Sequence, residues 1–399
     1  MGKWKECTIG DIGTVVGGAT PSTKKIENYE NGTIAWITPK DLSNFSGRYI
    51  SHGERNITET GLKSCSSQLM PKNSVLFTSR APIGYVAIAE NEVCTNQGFK
   101  SVAPNENTDF LFLYYLLKYN KDNIENMGSG TTFKEVSGKT MREIIVKVPE
   151  TIEEQHKIAE ILGTIDDKIE VNEKINKNLE QQAQTLYTAW FESFKPFGGA
   201  APDSWQQVTL GDIAEIKTNS FNPQKNPDVL IEHYSIPAFD EKKYPVFEVA
   251  ADVKSNKYIL SNNSVMISKL NPNTKRVWRP MCLSDFAVSS TEFIIFESFN
   301  PAHKDFVYSV IDSQGFTDWM CSHTTGSTNS RQRTTPATTL NYNLWLPDNE
   351  SMNQFLNAVT PMYDLIAHNL SQNQELSCLR DSLLPKLMSG EIDVSDIDL

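Results

Sequence analysis

The strongest constraint on this 399-residue chain is an internal duplication. The motif WKECTIGDI at residues 4–12 returns as WQQVTLGDI at residues 205–213. Further segments match in the same order in both halves: 73–79 with 263–269, 128–132 loosely with 325–328, and 145–149 with 343–347. Repetition in a constant order indicates one architecture that is built twice, with loops that have diverged on a shared scaffold.

Each copy begins with short strands and ends with a long helix. The strand candidates are rich in β-branched and aromatic residues and are bounded by Gly, Pro, Asn and Ser; examples are 33–38, 74–78, 85–88, 264–267 and 291–296. Residues 108–121 and 302–313 have a helical pattern. We therefore predict an α+β fold with two pseudo-repeated α/β modules, whose sheets are mostly antiparallel or mixed rather than doubly wound.

The segment after Pro149 has the pattern of a coiled coil. One stripe recurs at alternating steps of four and three residues and comprises Ile158, Leu162, Ile165, Ile169, Asn172, Asn176, Leu179, Ala183, Leu186 and Trp190. Asparagines at such positions fix the register of a coiled coil at a cost in stability. We predict one continuous helix with a partner along this stripe.

The second copy ends in a similar stripe that changes phase. It comprises Met352, Leu356, Val359, Tyr363, Ile366 and Leu370, and then Leu376, Leu379, Leu383 and Leu387. Pro361 has no backbone N–H, so we expect the first turn of this helix to be broken or kinked. Two such helices would cover their stripes as an antiparallel coiled coil; the alternative is that each helix packs on its own module.

These patterns divide the chain into four parts. We expect a first module at residues 1–149, a first spacer helix at 150–197, a second module at 198–348, and a second spacer helix with an acidic tail at 349–399. At a rise of 1.5 Å per residue, residues 151–194 of the first spacer helix would span roughly 65 Å.

The charge of the chain is negative overall but unevenly distributed. A net charge of −12 argues against a protein that holds bare DNA by itself, because phosphate neutralisation dominates such binding. Three stretches nevertheless carry basic residues and no acid: 62–89, 268–280 and 326–346. Acids concentrate instead in residues 150–180 and in the C-terminal tail. This distribution fits local contacts with DNA that basic partners reinforce.

The sequence gives no sign of export, of membrane insertion or of a metal centre. No apolar run approaches the ~18 residues that span a bilayer, and residues 1–6 resemble neither a signal peptide nor a lipidation motif. The six cysteines form no C-x-x-C pair, and the six histidines have no ligand spacing. We expect a cytoplasmic chain with reduced cysteines and no metal of its own.

Several motifs resemble those of the specificity subunits of Type I restriction–modification systems, over essentially the whole chain. The opening at residues 4–12 and FTSRAPIG at 77–84 resemble parts of that family's modules. EEQHKIA at 153–159, AWFESFKPF at 189–197 and LLPKLMSGEI at 383–392 resemble the ends of its spacer helices. The second module departs from the family pattern at 268–274, where the Ala-Pro-Ile-Gly element is missing.

The resemblance implies a non-catalytic subunit that recognises double-stranded DNA, with one half-site for each target-recognition module. It also implies two adenine-methyltransferase subunits as partners on the spacer helices, and ATP-driven restriction subunits in the full complex. S-adenosylmethionine, ATP and Mg²⁺ would belong to those partners, so the chain itself would hold no cofactor. A rod of roughly 65 Å exceeds the ~34–36 Å turn of B-DNA, which predicts an unread spacer between the half-sites.

Side chains that contact bases or phosphates are Arg, Lys, Asn, Gln, Ser and Thr on loops. In the first module we predict contacts from Thr20, Ser22, Lys24, Lys25, Ser79, Arg80, Asn96, Gln97 and Lys100, with Thr131, Thr132 and Lys134 as weaker candidates. In the second module we predict contacts from Lys269, Lys275, Arg276, Arg279, Arg331 and Arg333. For any one of them the alternative is a solvated charge; for the acid-free group 269–279 we favour DNA contact.

No motif identifies a catalytic residue. SGKT at 137–140 resembles the end of a phosphate-binding loop, but Phe133 stands where the first glycine of that motif belongs. Pro227 and Asp228 with Glu241, Lys242 and Lys243 fit a short and common pattern of metal-dependent nucleases. A DNA nuclease is therefore the alternative function, and a tandem scaffold or adhesion protein that does not bind DNA is a third interpretation.

Overall fold

The computed structural model describes residues 3–43, 45–130, 134–325, 332–395 and 397. Contacts divide the chain into two compact units, Met1–Glu170 with Glu375–Leu399, and Val171–Gln374. Each unit therefore contains one module together with a part of each long helix. The helices belong to the packing of the units and are not separate from them.

The module of the first unit alternates short strands with short helices. Its strands are β1 Trp4–Thr8, β2 Gly13–Gly17, β3 Ile34–Ile37, β4 Tyr49–Ile50, β5 Arg55–Ile57, β6 Val75–Ser79, β7 Ile83–Ala89, β8 Val93–Thr95, β9 Lys100–Pro104 and β10 Ile145–Pro149. Its helices are α1 Ile9–Ile12, α2 Pro39–Ser43, α3 Glu59–Lys63, α4 Phe110–Tyr119, α5 Lys121–Asn126 and α6 Gly138–Glu143, with a 3-10 turn at Ile26–Asn28. The helix predicted at 108–121 is confirmed; Asp109 caps it by accepting the N–H of Phe112.

The sheets of this module are mixed, as the sequence predicts. Their strand orders are β2-β9-β6-β7-β4, β5-β3-β8 and β1-β10. Most neighbours are antiparallel, whereas β3 with β8 and β4 with β7 are parallel. The apolar face of α4 covers the larger sheet, and Phe77, Phe112 and Tyr115 are fully buried between them. This burial supplies the main stabilisation of the module.

The first long helix, α7 Ile152–Tyr187, joins this core at its beginning. Ile158, Ala159 and Leu162 belong to the same buried cluster as α4. Asp166 is almost fully buried and accepts hydrogen bonds from Tyr115 Oη at 2.6 Å and from Arg380 Nη1 at 2.7 Å. A buried carboxylate is tolerated here because both of its oxygens have donors.

The module of the second unit repeats this order. Its strands are β11 Gln206–Thr209, β12 Ala214–Lys217, β13 Ser220–Phe221, β14 Leu230–Tyr234, β15 Val246–Val249, β16 Lys257–Ile259, β17 Ser264–Ser268, β18 Val277–Trp278, β19 Ala287–Ser290, β20 Phe293–Ser298, β21 Thr324–Thr325, β22 Arg333–Thr334 and β23 Asn343–Leu346. Its helices are α8 Ile236–Lys242, α9 Lys304–Ile311, α10 Gln314–Ser322 and α11 Pro336–Thr339.

The sheet pairings confirm the duplication. The order β12-β20-β17-β18 corresponds to β2-β9-β6-β7, and β11-β23 corresponds to β1-β10. The parallel pair β14 with β19 corresponds to β3 with β8. Two strands are added, because β13 and β16 extend the sheet of order β13-β16-β19-β14-β15 beyond β19. In the first module a single β-bridge between Met70 and Val93 takes the place of the pairing of β16 with β19. The second module therefore has the framework of the first and a wider second sheet.

The second long helix, α12 Asn349–Ser389, runs antiparallel to α7 in each unit. In the second unit, Asn172 Nδ2 donates to Gln372 Oε1 and Asn369 Nδ2 donates to Asn176 Oδ1, both at 2.8 Å. In the first unit, Asp166 pairs with Arg380. The predicted antiparallel helix pair is confirmed, and the alternative also holds in part, since Tyr187 and Phe355 lie in the core of the second module.

Pro361 does not interrupt α12. The helix is continuous from Asn349 to Ser389, so the predicted break is wrong. Pro361 itself is exposed, while Val359 and Tyr363 on either side are buried. A proline removes one intrahelical hydrogen bond, and the apolar contacts of its neighbours offset that loss.

Candidate nucleic-acid interface

Three loops of the first module meet beside the ends of β6, β8 and β9. The amide of Ala19 donates to the carbonyl of Thr95 at 3.0 Å, and the amide of Ser79 donates to the carbonyl of Gly98 at 2.7 Å. A Cβ atom on Gly18 would lie 2.1 Å from the Thr95 oxygen, so only glycine permits this close approach. The loops after β2, β6 and β8 therefore form one surface.

Two predicted residues on this surface contact each other directly. The Thr20 hydroxyl donates to the side-chain oxygen of Gln97, and both residues are exposed. The Asn96 side-chain oxygen accepts the amide of Gly98 at 2.8 Å, which holds the turn before β9. An Asn or Gln amide held in this way presents a defined donor and acceptor to a base edge.

Hydrogen bonds from Asn28 and Tyr29 hold the loop of residues 20–25 in place. Asn28 Nδ2 donates to the carbonyl of Ser22 at 3.0 Å, and Tyr29 Oη donates to the carbonyl of Pro21 at 2.6 Å. Ser22, Lys24 and Lys25 are exposed, and Lys25 Nζ lies 3.9 Å from the Glu27 carboxylate. The structure thus places Thr20, Ser22, Lys24 and Lys25 together on the surface of one anchored loop.

Arg80 and Lys100 share a carboxylate that sequence reasoning missed. Glu135 lies 3.7 Å from Arg80 Nη1 and 3.5 Å from Lys100 Nζ. Its backbone forms a β-bridge with Arg80, and Lys134 precedes it. Arg80 and Glu135 are partly exposed, whereas the Lys100 side chain is mostly buried. A partly exposed pair such as Arg80 with Glu135 contributes ~0–1 kcal/mol, so Arg80 can exchange Glu135 for a phosphate at low cost.

Ser79, a predicted contact residue of the first module, does not lie at the surface. It is fully buried, and its hydroxyl donates to the carbonyl of Gly98 at 3.2 Å. Every residue of β6 is buried on both faces, so the strand end gives no exposed position. Ser79 supports the loops and has no surface for contact with a base. Thr131 and Thr132 lie outside the described residues.

The basic residues of the acid-free segment 268–280 lie close to acidic residues from other segments of the second unit. Lys275 Nζ lies 3.1 Å from Asp312, and Arg276 binds Asp240 through two hydrogen bonds of 2.6 and 2.8 Å. Arg279 binds Asp305 at 2.7 Å and Asp364 at 2.8 Å. Burial raises the pKa of the Asp312 carboxyl, and Lys275 opposes that rise.

These three basic side chains are mostly buried, and their partners come from α8, α9, α12 and the turn after α9. The contact of residues 269–279 with DNA stays a prediction, and the ion pairs of Lys275, Arg276 and Arg279 argue against it for these three side chains. Their charge is neutralised inside the unit, where it joins the module to the helix α12.

Lys269 and Arg333 each bind the short segment between β19 and β20. Lys269 Nζ donates to the carbonyl of Thr291 at 2.7 Å. Arg333 is about half exposed and binds Glu292 through hydrogen bonds of 3.1 and 3.2 Å. Arg331 lies outside the described residues.

The backbone around these residues matches the first module bond for bond. The amide of Lys269 donates to the carbonyl of Glu292 at 2.9 Å, as Ser79 does to Gly98. The amide of Thr334 donates to the carbonyl of Lys269 at 3.1 Å, as Val136 does to Ser79 at 3.0 Å. Arg333 therefore takes the position of Glu135. One framework carries opposite charges in the two modules.

The enzyme-like motifs have structural explanations. The Ser137 hydroxyl accepts the amide of Thr140 at 3.0 Å and caps α6, so SGKT is a helix start. Lys243, in the nuclease-like pattern, pairs with Glu180 at 2.8 Å. Within the described residues, no three His, Cys, Asp or Glu side chains are grouped to hold a metal ion. None of the helices in that part of the chain is long and apolar enough to cross a bilayer.

Comparison with known proteins gives a consistent result. The family model for the Type I restriction modification DNA specificity domain matches residues 1–181. The Type I restriction enzyme MjaIX specificity subunit of Methanocaldococcus jannaschii is 35% identical, over 99% of this chain and 94% of that protein. The EcoR124I/EcoR124II specificity subunit of Escherichia coli is 34% identical over 41% of each chain.

A solved structure has the same fold over the whole length. The S subunit of a Type I restriction–modification system from M. genitalium superposes with a TM-score of 0.63, over 97% of this chain and 96% of that one. The sequence identity is 16%, so this likeness concerns the fold alone.

Proposed function

Because the chain belongs to the family of Type I restriction–modification specificity subunits, we propose that it recognises a DNA target in two parts, with one half-site for each module. It directs adenine methylation, or restriction, by partner subunits at that target. It contributes recognition and no catalytic residue. The domain limits predicted from the sequence, 1–149 and 198–348, are the proposed limits of the two target-recognition modules.

The observation that carries this proposal is the repeated framework with different surface chemistry. The amides of Ser79 and Lys269 make the same backbone bond, to Gly98 and to Glu292. Around these bonds the side chains differ in charge, with Glu135 in one module and Arg333 in the other. A shared scaffold with different contact residues is what two unlike half-sites require.

The proposed protein partners are two methyltransferase subunits that bind along the long helices, and restriction subunits in the full complex. Large apolar side chains on α7 and α12 are exposed: Ile152, Val171, Ile175, Leu365 and Leu379. Exposed apolar groups on a charged helix are typical of protein interfaces. S-adenosylmethionine, ATP and Mg²⁺ are then cofactors of the partners.

The test is a genome-wide map of N6-methyladenine in cells that express the chain with its methyltransferase. The expected result is one motif with two defined halves and an undefined spacer, which disappears when the gene is deleted. A motif without a spacer, or methylation that persists after deletion, contradicts the proposal. Purified chain with Mg²⁺ and duplex DNA should give no cleavage; cleavage would favour the nuclease alternative.

A further inference from the structure

The sequence did not point to the part of the second module that corresponds to the anchored loop of the first. In the first module, the 3-10 turn Ile26–Asn28 contacts α3, and the amide of Thr58 donates to the carbonyl of Asn28 at 2.9 Å. In the second module, the 3-10 turn Pro223–Lys225 contacts the 3-10 turn Ala250–Asp252. There the amide of Ala250 donates to the carbonyl of Val229 at 2.8 Å. Residues 222–226 therefore correspond to the loop that contains Ser22, Lys24 and Lys25.

The loop between β19 and β20 likewise corresponds to the loop that contains Asn96 and Gln97. Ser268 pairs with Phe293 in the second module, as Thr78 pairs with Phe99 in the first. By this register, Thr291 takes the position of Gln97. The Lys269 ammonium group holds the Thr291 carbonyl at 2.7 Å, so this loop is also anchored.

Strand β16 brings these two loops into one row. Phe221 pairs with Lys257, and Lys257 pairs with Ser290. If each register continues by one residue, Asn222 aligns with Asn256, and Asn256 aligns with Thr291, at the ends of three adjacent chains. Neighbouring chains in a sheet are ~4.8 Å apart, so the three polar side chains share one short edge.

Two lysines flank this edge. Lys225 ends the 3-10 turn and Lys254 precedes β16; both are exposed. Gln224 Nε2 donates to the carbonyl of Val253 at 2.9 Å and joins the two segments. Unlike Lys275, Arg276 and Arg279, neither lysine has a carboxylate within ion-pair distance among the residues that the structure describes.

The edge has no large excess of positive charge. Asp228 and Asp252 are exposed near it in the sequence and balance the two lysines. Attraction for DNA in general is therefore weak here, and side-chain hydrogen bonds carry the selectivity. Asn and Thr are residues that recognise base edges, while lysine contacts phosphates.

Resting on the proposed function, we infer that the second module contacts its half-site through this edge. Asn222, Asn256 and Thr291 contact bases, and Lys225 and Lys254 contact the flanking phosphates. The paired group Lys275, Arg276 and Arg279 makes no contact with DNA and holds the module together.

The experiment uses the full chain co-expressed with its methyltransferase. The first variant combines Asn256→Ala with Thr291→Val, which keeps the Thr291 carbonyl that Lys269 holds. The methylation map should show a second half-site that is altered or about 10-fold less selective, and a first half-site that is unchanged. Asn222→Asp, which retains the acceptor that caps the 3-10 turn, should act in the same direction.

The second variant combines Lys225→Ala with Lys254→Ala, and Lys242→Ala on α8 is its matched control. Binding of the complex to its mapped target duplex is measured by fluorescence anisotropy at several salt concentrations. The double variant should reduce the slope of log affinity against log salt by about two, and the control should leave it unchanged.

The outcomes distinguish a failure of this inference from a failure of the proposed function. If the wild-type complex methylates no two-part motif, the proposed function fails. If it does, but the Asn256 and Thr291 variant keeps the motif and the wild-type affinity, the inference is overturned. Arg276→Ala that folds normally and loses the second half-site would also overturn it.

Discussion

Asn369 Nδ2 donates a 2.8 Å hydrogen bond to the side-chain oxygen of Asn176 inside the contact between α7 and α12. Both side chains are buried, and Asn176 Nδ2 has no hydrogen-bond partner among the described residues. Four residues before Asn176, Asn172 Nδ2 donates to Gln372 and Asn373. This polar layer costs stability and admits one register, because a shift of either helix would leave several amides unpaired.

Replacement of both Asn176 and Asn369 by Leu should raise the free energy of unfolding, because the buried amide without a partner is removed. Asn176→Leu alone should lower it by ~1–3 kcal/mol, because Asn369 is then buried without its acceptor. Urea unfolding followed by circular dichroism measures both changes. Asn353→Leu, on an exposed position of α12, is the matched control and should change little. A double variant less stable than the single one would contradict this account.

Arg279 and Arg333 both bind carboxylates, but replacing them should destabilise the protein to different extents. Arg279→Ala leaves the buried Asp305 without its partner and should destabilise the second unit by ~3–5 kcal/mol. Arg333→Ala breaks a half-exposed pair with Glu292 and should cost at most ~1 kcal/mol. Denaturant unfolding of the two variants compares them directly. Equal losses would mean that Arg279 is not a structural residue.

Gly18 and Gly17 provide a matched pair in the first module. A Cβ on Gly18 would lie 2.1 and 2.2 Å from the carbonyl oxygens of Thr95 and Asn96, whereas one on Gly17 meets only the flexible Lys100 chain at 3.9 Å. Gly18→Ala should therefore displace the loop of residues 20–25, weaken methylation through the first half-site, and destabilise the module by ~1–3 kcal/mol. Gly17→Ala should retain both the methylation through the first half-site and the stability of the module. Methylation mapping and thermal unfolding check this, and normal methylation by Gly18→Ala would count against the placement of the loop.

His233 should make stability depend on pH. Burial lowers its pKa, its Nδ1 lies 2.6 Å from Glu248, and its Nε2 has no partner in the described part of the chain. The unfolded chain then binds a proton that the folded chain resists, so stability is lost as the pH falls below about 6.5. His233→Phe should lose less stability than the wild type between pH 7 and pH 5 in denaturant titrations. His52→Phe, on the surface of the first module, should behave as the wild type; identical pH profiles for all three proteins would exclude the effect.

The framework was predictable because its signals are local or repeated. The matched motifs at residues 4–12 and 205–213 begin the modules, and β1 and β11 pair with β10 and β23 as equivalent elements. The stripe through Ile158, Asn172 and Asn176 is buried as its spacing predicts. Periodicity reports which face of a helix is covered, and here the partner helix has the same period.

The contact residues were less predictable because charge is paired through tertiary structure. No acid occurs in residues 268–280, yet Arg276 and Arg279 find Asp240, Asp305 and Asp364 from distant segments. Ser79 ends a strand that is buried on both faces. When every residue of a strand is buried, the alternation of polar and apolar residues does not show which positions are exposed. The proposed edge that includes Asn256 and Thr291 depends on β16, a strand whose place in the first module is taken by a single β-bridge between Met70 and Val93.

The most direct test of the central claim replaces residues 1–149 with the corresponding module of a relative that has a different target. Methylated adenines are then mapped across the genome in cells that carry the hybrid and the native methyltransferase. If each module recognises its own half-site, one half of the motif changes to that of the donor, and the other half keeps its sequence. A hybrid that folds and methylates but changes both halves, or neither, contradicts the claim that two independent modules recognise the target.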